Sequence, residues 1–148
     1  MITLCQRDPA WANVKLGASQ LTVGRYGCTT CAVSMLSDYF KGYLEPQQLA
    51  ANVNNYTPEG LILWSHLKFP TMQFVNRQYL YNDAEITKAL KDPNLAVIIE
   101  VNHSHWVAGV KKDLFGRIIV NDPWLGDKCD VKKRYGQITG SAIFMRKS

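Results

Sequence analysis

"LAVIIEVNHSHWVAGVKKDLFGRIIVND", residues 95–122, is where the chain changes character. "LAVIIEV" (95–101) is a continuous β-branched run, "HWVAGVKK" (105–112) alternates, and "GRIIVND" (116–122) is short and β-branched again. Turn residues separate them: "NHS" at 102–104, and "KDLFG" at 112–116, which reads as a hairpin. After the turn "DPWLGD" (122–127), "GSAIFMRK" (140–147) closes the chain as a further strand. These runs predict an antiparallel sheet.

Upstream the spacing is helical. From Thr29 to about Gly42, the apolar residues Cys31, Ala32, Met35, Leu36, Tyr39 and Phe40 recur three and four apart, with Gly42 as stop signal. A shorter helix is expected after Pro46 in "QQLAANV", since proline suits a first turn. Another is read in "TPEGLILWSHL", and a third in "NDAEITKALKD", with an Asn/Asp cap and Pro93 as terminator. Helices first and strands afterwards predict an α+β domain, N-terminal helices packed on a C-terminal antiparallel sheet. With no repeat, linker or low-complexity tract, residues 1–148 read as a single domain.

Composition sets the class. Nearly half the residues are apolar and a fifth charged, which suits a globular chain. No run approaches a membrane span, and residues 1–20 lack the pattern of a secretory signal. Synthesis in the cytoplasm is therefore expected, and action elsewhere would need another route. Four cysteines do not form a secreted disulfide framework at this length, so a reduced compartment is the simpler expectation. The net charge of +5 lies in the C-terminal quarter, where residues 111–148 hold nine Lys/Arg against four Asp. Such a stripe favours anionic partners (nucleic acid, anionic lipid or bacterial wall polymer), or simply protects a strand edge.

The chemistry centres on "YGCTTCAVSML" at 26–36. Cys28 and Cys31 admit three readings. A thioredoxin-type redox pair would want a strand directly before the motif, and "ASQLTVGRYG" is a weak one. A zinc site would need a second close pair, and His103 with His105 is oddly spaced for it. The third reading makes Cys31 a buried apolar thiol and Cys28 a nucleophile. Gly27 allows close backbone approach there, and the unpaired amides of a helix start favour an anionic sulfur. A thiolate so placed awaits a base. His66 and His103 offer no supporting pattern, whereas His105 opens a strand. Through the hairpin, the end of "RIIVND" returns to the start of that strand, so Asp122 or Asn121 comes within reach to orient the imidazole.

Taken in order, "QRDPAWANVKLG", "YGCTTCAVSML", "HSHWVAGV" and "VNDPW" resemble the papain-like cysteine peptidases related to bacteriocin double-glycine leader peptidases. Their stand-alone bacterial and phage relatives are the nearer likeness. The segments run from Gln6 to Trp124, and the resemblance implies a papain-like fold. It also implies Cys28 as nucleophile, His105 as base, Asp122 as the third member, and a glutamine donor in the oxyanion hole. Thr22 stands where that glutamine is expected; of Gln6 and Gln20, Gln6 is preferred. Thr29–Thr30 replaces the frequent Gly–Pro. Trp106 and Trp124 flank these residues as potential cleft walls.

The function expected is a thiol amide hydrolase needing no metal or organic cofactor. Peptide of bacterial peptidoglycan is the leading substrate, as for a phage endolysin acting at the host wall after release and helped by its charge to an anionic polymer. Cleavage of a protein or leader peptide is the alternative. A dead-site peptide-binding module, or a zinc-stabilised one, is the alternative of another class. No nucleic-acid partner, no membrane insertion and a monomeric state complete the expectations.

Overall fold

In the computed structural model, which describes residues 1–148, the decisive stretch forms three strands at the predicted places. In chain order the elements are α1 (Val23–Tyr26), α2 (Cys28–Tyr39), α3 (Pro46–Ala51), β1 (Met72–Gln78), α4 (Asp83–Lys91), β2 (Leu95–Val101) and β3 (His105–Lys112). They continue with β4 (Ile118–Asp122), β5 (Asp127–Asp130), α5 (Val131–Tyr135) and β6 (Ile138–Arg146). The six strands form one sheet in the order β1-β6-β2-β3-β4-β5, with every neighbouring pair antiparallel. The class is α+β.

The continuous apolar run of β2 follows from burial of both sheet faces. Ala96 and Ile98 join a core with α2, whereas Val97, Ile99 and Val101 join a second core with α4. β3 divides the same way, Trp106 and Ala108 to one side and Val107 to the other. Helix α2 lies inside the first core, where Cys31, Ala32, Met35 and Leu36 are fully buried. Met35 and Leu36 stabilise the fold by about 2–5 kcal/mol each against truncation to alanine. Tyr39, counted on the expected stripe, instead lies at the exposed helix end. The helix stops there, three residues before Gly42.

Two expectations need correction. "TPEGLILWSHL" is not a helix: Gly60 has φ +90, Leu61 N–H bonds back to Thr57 Oγ1, and only Trp64–His66 makes a 3-10 turn. The order is not helices before sheet, because β1 precedes α4 and pairs with β6 at an edge. A bulge between Phe74 and Asn76 breaks its alternation, which hides it from a period-two reading. The basic residues 132–134 lie on the short helix α5. Asp130 caps it by accepting from Lys132 N–H and Lys133 N–H, and Gly136 ends it at φ +81.

Candidate active site

Cys28 is the first residue of α2, so its own amide N–H has no intrahelical partner. Gly27 lets α1 and α2 meet tightly: a Cβ there would stand 2.5 Å from Val23 O. Any side chain at Gly27 would therefore clash with α1 directly before Cys28. Cys28 is 9 % exposed, and it lines two adjoining clefts of ≈ 510 and ≈ 350 Å³.

His105 opens β3, on which α2 packs, and lines the smaller cleft with Cys28. Its Nε2–H donates to Asp122 Oδ1 at 2.8 Å. That leaves Nδ1 as the ring nitrogen open to sulfur. Burial, the largest influence on the ring, disfavours the charged form; the Asp122 hydrogen bond, contact with Cys28 and the charges of both outweigh it. The pKa is raised to about 9. A cationic imidazole beside a thiol stabilises the thiolate.

Asp122, the last residue of β4, is 0 % exposed and fully partnered. Oδ1 also accepts Trp124 N–H at 2.9 Å, while Oδ2 accepts from Arg134 Nη1 at 3.0 Å and from the Tyr135 hydroxyl. Burial opposes its ionisation most strongly, yet these donors together hold the carboxyl well below the usual range. Arg134 is itself fixed by a two-pronged pair with Asp127, at 2.6 and 2.9 Å. Asn121, the other orienter considered, points its amide elsewhere, donating to Ile2 O at 3.3 Å.

Gln6 reaches the same cleft from the N-terminal segment and is 1 % exposed. Its backbone N–H donates to Pro123 O at 2.8 Å and its Nε2 to Gly24 O at 3.2 Å. The amide nitrogen carries a second hydrogen, uncommitted by that bond. Gln20 is elsewhere, exposed and accepting from Lys15 Nζ at 3.0 Å. Trp124 walls the smaller cleft and Trp106 the larger.

Cys31 is buried and its thiol pushed far up, first by burial and then by the nearby Cys28 and Cys5 charges. His66 is exposed, and His103 lies in the larger cleft. No three His, Cys, Asp or Glu side chains converge as metal ligands, so Cys28, Cys31 and the histidines do not form the cluster that the zinc reading requires.

Arg134 and Tyr135, which hold Asp122, went unread in the sequence. The signal was present: Asp130 and Gly136 bracket "VKKRY" as an N-cap and a C-terminal stop.

No family model, curated protein or solved structure matches the chain. No helix is long and apolar enough to cross a membrane.

Proposed function

We propose that the protein is a thiol-dependent amide hydrolase with a papain-like arrangement, its nucleophile on a helix and its base and acid on the sheet. One observation carries this reading: Cys28, Gln6 and a His105 anchored by a buried Asp122 share one cleft. Four separated segments supply those groups, and nucleophile, base, orienter and oxyanion donor are the four parts acyl transfer requires.

Cys28 Sγ attacks the amide carbon, and the developing oxyanion is met by the Cys28 N–H and Gln6 Nε2. The thiol proton resides on His105, which passes it to the leaving nitrogen, with Asp122 fixing ring orientation throughout. Water then attacks the thioester, passing a proton to His105 and releasing the acid. The preferred substrate is peptide of bacterial peptidoglycan, to which the cationic C-terminal quarter would be drawn.

Wild-type protein should clear a suspension of bacterial walls and release new amino termini, while Cys28→Ala does neither. Hydrolysis of a protein substrate alone would move the reading to a processing peptidase. Release of amino termini by Cys28→Ala at the wild-type rate would refute thiol catalysis.

A further inference from the structure

The proposed reaction has a direction across the site. His105 must protonate the departing nitrogen, so the leaving portion occupies the ≈ 350 Å³ cleft, which His105 lines. The acyl portion then lies in the ≈ 510 Å³ cleft, which shares Cys28 but not His105.

The two clefts differ in charge. In the acyl-side cleft, Arg77 is neutralised by Glu100 at 3.1 Å, both side chains 12 % exposed, and its guanidinium is stacked 4.7 Å from the Trp106 ring. No carboxylate lines the leaving-side cleft; its cation besides His105 is Arg25, at the end of α1. Arg25 is exposed and takes part in none of the ion pairs. Across the cleft, Trp124 carries a second arginine: Arg7 lies 4.7 Å over its ring and donates to Trp124 O at 2.8 Å. Arg25 lies 5.9 Å over the Tyr26 ring, another lining residue, and has no carboxylate partner at the cleft.

We propose that Arg25 is a specificity residue for a carboxylate on the leaving portion of the substrate. The inference rests on the hydrolase reading and narrows it. Substrates would be amides whose amine half is an amino acid or peptide with a carboxylate near the scissile nitrogen. The carbon–nitrogen bond breaks, His105 supplies the proton, and the amine leaves with its carboxylate paired to the guanidinium.

Alkylation of the full chain at pH 7 and low salt tests this without a known substrate. Iodoacetamide and iodoacetate both form a carbon–sulfur bond at Cys28 and expel iodide, but only iodoacetate carries a carboxylate. Arg25→Gln should lower the iodoacetate-to-iodoacetamide rate ratio about fivefold, the size of effect an exposed charge exerts. Arg25→Lys should retain most of the ratio, Arg25→Glu should depress it further, and high salt should shrink the differences. A ratio unchanged in Arg25→Gln and Arg25→Glu, with brisk iodoacetamide labelling of Cys28, overturns the carboxylate site and leaves the hydrolase reading standing. Labelling of wild-type Cys28 no faster than of Cys5 overturns both.

Discussion

Replacing Asp122 by Asn should destabilise the protein far more at pH 6 than at pH 10. His105 is raised from 6.5 to about 9, with the Asp122 hydrogen bond foremost among the influences raising it. That shift corresponds to roughly 3 kcal/mol of preference for the charged ring in the folded state. Because the folded-state pKa is the higher one, this stabilisation is fully present below pH 6.5 and fades as the pH rises through 9. The substitution removes the carboxylate and so most of the preference. Its remaining penalty, donors of Arg134, Tyr135 and Trp124 left facing an amide, is present at both pH values. Depression of the Asp122 pKa matters only in acid, where protonating the carboxylate removes its contribution. The difference between wild type and Asp122→Asn, measured by urea unfolding, should thus be about 2–3 kcal/mol larger at pH 6 than at pH 10. Groups that titrate alike in both proteins cancel. An equal difference at the two pH values would mean that His105 is not held as a cation by Asp122, and the account of the base would collapse.

Gln6→Ala should lower turnover roughly 10²-fold with little change in KM, because an oxyanion donor acts mainly in the transition state; steady-state kinetics decide it, and a pure KM effect would remove Gln6 from that role. Iodoacetamide followed by peptide mapping should modify Cys28 and spare Cys31 in the native protein, with Cys31 labelled only after unfolding, since it is fully buried. His103→Gly should raise stability by about 1 kcal/mol in thermal unfolding, because Asn102 and His103 occupy the left-handed region at φ +52 and +57. A loss of stability there would show that the His103 side chain contributes more than its backbone strain removes.

Much of the sheet was legible because β2, β3, β4 and β6 carry strong period-two or β-branched signals. The hairpin between β3 and β4 also makes the approach of Asn121 or Asp122 to His105 readable in the sequence. β1 was hidden by its bulge and by its half-buried polar half, "NRQ", where Arg77 pairs with Glu100 instead of continuing an apolar alternation. Asn121 and Asp122 could not be separated by hairpin logic alone. The choice rests on tertiary partners: Arg134, Tyr135 and Trp124 N–H converge on Asp122, while Asn121 is turned to Ile2. Long-range convergence of that kind leaves no periodic trace in a sequence.

Gln6 poses the same problem most sharply. It belongs to no regular element, yet it is almost wholly buried, so its position has to come from contacts with the site itself. Those contacts form a strap: Ile2 O accepts from Asn121, Gln6 N–H donates to Pro123 O, and Arg7 donates to Trp124 O. The N-terminal segment is thereby fastened to the turn just after Asp122. Asp122 in turn fixes His105, and Gln6 Nε2 holds Gly24 in the helix preceding Cys28. One turn of chain thus sets the proposed acid, and through the strap it sets the proposed oxyanion donor and the approach to the proposed nucleophile. Loosening either end of the strap should therefore disturb the reaction before it disturbs the sheet. Leu4, within the strap, is buried in the same core as Ile98, Trp106 and Phe144, so the strap's polar fastenings rather than its apolar burial are what fix the relative placement of sulfur, imidazole and amide.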